Sequence, residues 1–190
     1  MNTRKSMGNQ FSMCVQPAFI IGTYNQDGTG NFAPITWVSV TWDTDHYMLV
    51  ISMFGSKQTK KNAMANMALS ANLVSTDMLE LMDYFGSNSG KEQPKDGVAY
   101  EYSKGNAVNA PTLDISKWVY ECEVSKIIET GDSHTYFCSI KDVQIDCEID
   151  VSSGIDLTCF DPVIYSGGYH SIGKHLGKIG DFYTRDKERR

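Results

Sequence analysis

Three apolar runs separated by short polar turns fill residues 17–53, and they constrain the fold more than anything else in this chain. PAFIIGTYN (Pro17 to Asn25) is rich in Ile, Phe and Tyr, and Gln26-Asp27-Gly28 supplies turn chemistry after it. A second strand is predicted over Phe32 to Thr41. Beyond the Trp42-Asp43-Thr44-Asp45 turn, a third runs over His46 to Met53. Antiparallel neighbours can be joined by links this short, whereas parallel strands need a crossover of a dozen or more residues. The opening therefore predicts an antiparallel meander.

The period then changes. TKKNAMANMALS, from Thr59, places Ala63, Met64, Met67 and Ala68 at helical spacing. Ser70 to Thr76 returns to strand, and Asp77 to Phe85 reads as a short amphipathic helix with Asp77 as N-cap. Gly86 to Gly97 is a polar loop long enough to act as a lid. Lys117 to Glu129 and His134 to Ile149 are long β-branched and aromatic runs around Gly131-Asp132, which predicts a second hairpin. DPVIYSGGYHSIGKHLGKIG carries five glycines and cannot be a regular strand throughout. Six or so strands with two minor helices predict a mainly β fold, a barrel with helical decoration.

The length, 190 residues, suits one domain spanning 1–190, with 1–10 as a flexible leader and 182–190 as a charged tail. A net charge of −6 argues against nucleic acid as partner, because such binders present a basic face. The five cysteines form no CxxC pair, so neither a zinc site nor a disulfide framework is indicated, and a reducing cytoplasm is the expected compartment. Cys138 and Cys147 read as small buried hydrophobes, and a redox pairing with Cys122 is conceivable. The methionines, including Met48, Met53, Met64, Met67, Met78 and Met82, read as packing residues. No run approaches the roughly 20 apolar residues of a membrane helix.

Two segments could carry chemistry. Gly55 to Asn62 (GSKQTKKN) lies between a strand and a helix start, so hydroxyls, lysines and free backbone N–H groups converge where a phosphate dianion is stabilised. A capped, solvated helix start with surface lysines has the same composition. In GNFAPITWVS (Gly30 to Ser39), alternation puts Asn31, Ala33, Ile35 and Trp37 on one face and Phe32, Pro34, Thr36 and Val38 on the other. Pro34 has no N–H and belongs at an edge, which frees neighbouring backbone groups for the polar rim of a flat heterocycle. A core Trp37 and a turn-ending Asn31 are the plainer account. His134 could position a nicotinamide or a substrate, or simply start its strand, and His46 is read as structural.

NFAPITW (Asn31 to Trp37), KQTKKN (Lys57 to Asn62), ANLVS (Ala71 to Ser75), SHTYF (Ser133 to Phe137) and PVIYSGGYHSIG (Pro162 to Gly173) together resemble the flavin reductase-like family, the FMN-binding split barrel, in its flavoredoxin-type branch. The resemblance spans roughly residues 15 to 180. It implies a mainly β, antiparallel split barrel that forms a homodimer with FMN near the subunit interface. By position it implies that Asn31, Ala33, Thr36, Trp37, Val38 and Ser39 line the isoalloxazine ring. Ser56, Lys57, Thr59 and Lys60 or Lys61 would hold the phosphate, and Tyr169 would lie near the flavin or the dimer contact.

The implied activity is an FMN-dependent oxidoreductase taking hydride from NADH or NADPH and passing it to a second small-molecule acceptor. Flavin carries the electron chemistry, so no catalytic nucleophile is required, nor any metal. Two other readings stay open: an FMN-binding electron-transfer protein without its own nicotinamide site, and a dimer that has lost flavin. Family members that use nicotinamide often carry Gly-Asp-His, whereas Ser133 is interposed here in Gly131-Asp132-Ser133-His134.

Overall fold

A computed structural model describes residues 4–9, 14–88, 98–152 and 155–177 of the chain. The loop from 86 to 97 lies mostly outside these residues, as do the start of the leader and the whole tail. The first half comprises β1 (Gln16–Pro17), β2 (Phe19–Tyr24), β3 (Gly30–Ile35), β4 (Val38–Asp43) and β5 (His46–Phe54), then α1 (Gln58–Asn66), β6 (Ala68–Leu73) and α2 (Leu79–Ser87). The second half comprises β7 (Tyr102–Lys104), β8 (Pro111–Leu113), β9 (Trp118–Thr130), β10 (Ser133–Ile145), β11 (Val163–Tyr165) and β12 (Tyr169–Ser171). Seven strands form one antiparallel sheet in the order β3-β2-β6-β9-β10-β5-β4.

Consecutive strands β3 and β4 thus occupy opposite edges. Laid flat, those edges would stand about 29 Å apart at ~4.8 Å per strand. Only Thr36 and Trp37 separate the strands, and three Cα steps reach about 11 Å at most. The sheet must therefore curl until its edges approach, which makes it a split barrel. The expected single strand over Phe32 to Thr41 is corrected here: the chain steps at Thr36-Trp37, where the Val38 N–H donates to the Thr36 carbonyl at 3.0 Å. The step also shifts the alternation. Ile35 and Val38 both enter the barrel core, beside Phe19, Ile21, Leu49 and Ile51, whereas one unbroken strand would have sent them to opposite faces.

The opposite face of β2 and β3 is also covered. Ile20 and Phe32 pack there with Met78, Leu81 and Met82 of the α2 region and with Val163. Burial on both sides explains why β2 is an unbroken apolar run rather than an alternating one. A smaller sheet, β1-β11-β12, joins the end of the chain to its beginning through Gln16↔Tyr165 and Pro17↔Ile164.

The helices differ from expectation at their ends. α1 stops at Asn66, and Met67 takes a left-handed cap with φ 51°. Met64 and Met67 are consequently exposed rather than packed, while Met48, Met53, Met78 and Met82 are buried as expected. Asp77 is not an N-cap. It sits inside a 3-10 turn (Thr76–Met78) that precedes α2, and its carboxylate accepts from the Ser75 hydroxyl. The predicted second hairpin is present as β9 and β10. Cys122 and Cys138 lie buried and unbridged on these neighbouring strands, whereas Cys147 is exposed, contrary to its reading as a buried hydrophobe. Burial pushes both inner thiols up, Cys138 to about 12.

Glu121 on β9 is wholly buried. Its carboxylate accepts the N–H groups of Asn106, Ala107 and Val108 at 2.9, 2.8 and 2.9 Å, and the Gln144 amide also donates to it. Burial alone would raise this carboxyl, but the donors outweigh it and hold it below the usual range. The anion thereby pins the 105–110 connection, where a Cβ on Gly105 would stand 2.5 Å from the carboxylate.

A depressed pKa stabilises above the unfolded value, about 4.3, and the contribution fades as pH falls through the folded value. Glu121→Gln should therefore lose about 2–3 kcal/mol at neutral pH, in keeping with charged hydrogen bonds at a buried acceptor. The gap to the unaltered protein should narrow as urea unfolding is moved from pH 7 down to pH 3.5.

Candidate functional site

A knot of buried amides and hydroxyls docks α1 onto the sheet. Asn31 Nδ2 donates to Thr23 Oγ1 at 3.2 Å and to Thr59 Oγ1 at 2.9 Å. Asn62 Nδ2 donates to Thr23 Oγ1 at 3.2 Å and to Asn25 Oδ1 at 2.8 Å, and Gln58 donates to Asn62 Oδ1 at 2.8 Å. Lys60 adds a tie to the β9–β10 turn: its Nζ donates to the Asp132 carbonyl at 2.7 Å, and its own carbonyl accepts from Tyr136 Oη at 3.3 Å. Gly55, with φ +72°, makes the left-handed turn that releases the chain from β5 into this docked helix.

The result is a helix N-terminus held beside the edge strand β3. Its first N–H groups have no partners within the helix. Lys57 at the N-cap makes no side-chain cap, and no acidic residue sits in the first turn. Both facts leave the positive end of the helix uncompensated.

Two adjoining clefts open there. The first, of about 310 Å³, lies between the α1 start (Ser56 to Thr59) and the C-terminal end of α2 (Phe85 to Asn88), with Asn31 to Pro34 as its floor. The second, of about 200 Å³, is formed by Pro34 to Trp37, by Ser52 and Phe54 of β5, and by Tyr165 of β11. Pro34 and Lys57 line both, so the clefts make one elongated groove with Lys57 at the join. Trp37 and Phe54 sit with ring centres 5.6 Å apart at 31°, and the Lys57 ammonium lies 6.0 Å from the Phe54 ring centre. One end of the groove is polar and cationic, while the other offers flat apolar faces with hydroxyls at Thr36 and Ser52.

The structure brings together Asn31, Ala33, Ser56, Lys57 and Thr59 in the first cleft and Thr36 and Trp37 in the second. It takes three expected residues out of the groove. Val38 is buried in the barrel core and its N–H is used by Thr36. Ser39 is exposed on the far edge strand opposite Val50. Lys60 is buried with its ammonium on Asp132, one helical position past the cleft wall, so it anchors the helix instead of facing a ligand. Tyr169 also stands outside both clefts. Its hydroxyl donates to Asp83 Oδ1 at 2.6 Å, and its ring packs on Tyr165 with centres 6.0 Å apart. Burial first, then the Asp83 carboxylate, push the Tyr169 phenol up to about 12. His134 is half-buried, with Nδ1 3.5 Å from the Tyr136 hydroxyl.

Sequence reasoning missed Phe54, Tyr165 and the Phe85–Asn88 wall. Phe54 could have been found, since it directly precedes the glycine turn. Tyr165 lies in the Pro162 to Gly173 segment that carries the resemblance but was given no role there, and the end of α2 comes from a part of the chain with no local pattern marking it.

The family model described as flavin reductase like domain matches residues 11–173. An FMN reductase (NADH), RutF, of Pseudomonas syringae pv. syringae is 25% identical over 128 residues, which are 67% of this chain and 70% of that protein. The flavoredoxin of Desulfovibrio vulgaris (Miyazaki F) superposes with a TM-score of 0.85 at 22% identity, over 95% of this chain and 99% of that one. A flavoredoxin from Methanosarcina acetivorans gives 0.84 at 22% identity, over 96% and 97%.

Proposed function

Because this chain belongs to the flavin reductase-like domain family, we propose that it binds FMN along the joined clefts and works as an FMN-dependent oxidoreductase. The observation that carries the reading is the uncompensated start of α1, open to a cleft that continues into an aromatic one. A mononucleotide has the matching asymmetry, a dianion at one end and a flat heterocycle at the other. In that binding mode Ser56, Lys57 and the first N–H groups of α1 hold the phosphate, with Thr59 beneath them. Such charge-assisted bonds supply much of the affinity. Asn31, Ala33, Thr36 and Trp37 set the orientation of the ring, together with Phe54 and Tyr165. Bound flavin supplies the hydride chemistry, accepting from reduced nicotinamide and delivering to a second acceptor. The chain's own work is to hold, orient and partly shield it.

A homodimer belongs to the same proposal. Val40, Trp42 and Tyr47 continue the inward-facing row of Val38 and Ile51, yet they are 63%, 55% and 62% exposed. The β4–β5 hairpin thus projects past the barrel with its core-facing side uncovered, and an apolar patch at a free strand edge suits a second copy of the chain.

Three outcomes are expected. Changing Ser56 and Lys57 together to Ala should raise the Kd for FMN by about one to two orders of magnitude, as loss of charged hydrogen bonds does, with the melting temperature kept. Unchanged FMN affinity would refute the phosphate assignment. Mixing the FMN-loaded protein with NADH or NADPH without oxygen should bleach the flavin absorbance. Bleaching by neither, with FMN still bound, would favour an electron carrier without a nicotinamide site. Trp42→Lys should convert the dimer to monomer in sedimentation analysis, and a monomeric unaltered protein would end the dimer proposal.

A further inference from the structure

We propose that the hydrogen bond from Tyr169 to Asp83 is a latch that governs how fast FMN leaves the groove, an inference that rests on the FMN reading above. The two walls that face the barrel edge come from separate units. One is α2, whose last residues, Phe85 to Asn88, bound the first cleft. The other is the β11–β12 hairpin, whose Tyr165 bounds the second. Tyr169 stands directly across from Tyr165 in the register of that hairpin, on the same face, with the rings in edge contact. Asp83 lies half a turn before Phe85 on α2. The 2.6 Å bond between them therefore ties wall to wall outside the ligand space.

Each wall has its own anchorage. α2 packs on the barrel through Leu81 and Met82, and Gly86 lies close enough to Pro34 that a Cβ there would meet its ring at 3.4 Å. The hairpin is fixed at Val163, whose carbonyl accepts from the Ala18 N–H at 3.0 Å and whose own N–H donates to the Val74 carbonyl at 2.8 Å. Loss of the latch thus leaves both walls attached while removing a tie between them. Asp83 and Tyr169 are positioning residues: neither lines a cleft, and each acts through the wall that carries it. The phenol keeps its proton throughout neutral pH, so the donor is present under any working condition.

The test uses the full chain loaded with FMN, with Tyr169→Phe, Asp83→Ala and the double variant. Dissociation is followed by the return of free-flavin fluorescence after rapid dilution of the loaded protein to well below its Kd for FMN. Each single variant should release FMN about five- to tenfold faster, the size expected for one charge-assisted bond near the surface. Association should change by less than about twofold. The double variant should be no faster than the singles, because both remove the same bond. Asp83→Asn, which keeps an acceptor oxygen, should recover part of the slow release. Off-rates within twofold of the unaltered protein, or effects that multiply in the double variant, would overturn the latch while leaving FMN binding in place. Failure of the unaltered chain to bind FMN would overturn the underlying reading and the latch together.

Discussion

A two-residue link between the outermost strands of a seven-stranded sheet governs this molecule. Thr36 and Trp37 cannot span a flat sheet, so the sheet rolls until its edge strands β3 and β4 approach. The groove lies along that seam. Its floor is the edge strand β3, its aromatic end is the step itself with Phe54 alongside, and its cationic end is the helix that leaves β5. Closure and groove are thus one geometric event. Hydrophobic burial supplies the driving force on both faces of β2, but the short link decides where the roll ends.

The polar knot under α1 has a complementary role. Five side chains of ordinary polarity, Thr23, Asn25, Asn31, Thr59 and Asn62, share bonds and hold the helix start at a fixed place relative to β3. Lys60 and Lys57 divide the cationic work. The first is drawn inward to a backbone carbonyl and fixes the helix, while the second remains at the meeting point of two clefts.

Much of this was legible beforehand. β2, β5, β9 and β10 follow from apolar, β-branched and aromatic runs bounded by turn residues, and the edge placement of Pro34 follows from its missing N–H. The two segments that the family resemblance singled out meet at the groove, except for Val38, Ser39 and Lys60. The step at Thr36-Trp37 was hidden because neither residue breaks strands, and the shift in alternation is enforced only by closure. Lys57 and Lys60 could not be separated, since they share one basic run and a carbonyl 72 residues away, that of Asp132, draws Lys60 inward. The α2 wall was invisible, and Tyr165 was given no role, because their neighbours in space are far away in sequence.

The two inner cysteines carry a last consequence. Deep placement raises Cys122 and Cys138 so far that they remain thiols at any physiological pH, and thiols are poor nucleophiles toward peroxide or disulfides. An oxidant that reached the barrel interior would find these two buried thiols slow to react. Cys14, Cys147 and Cys159, exposed at the periphery, are the sulfurs an oxidant in solution meets first.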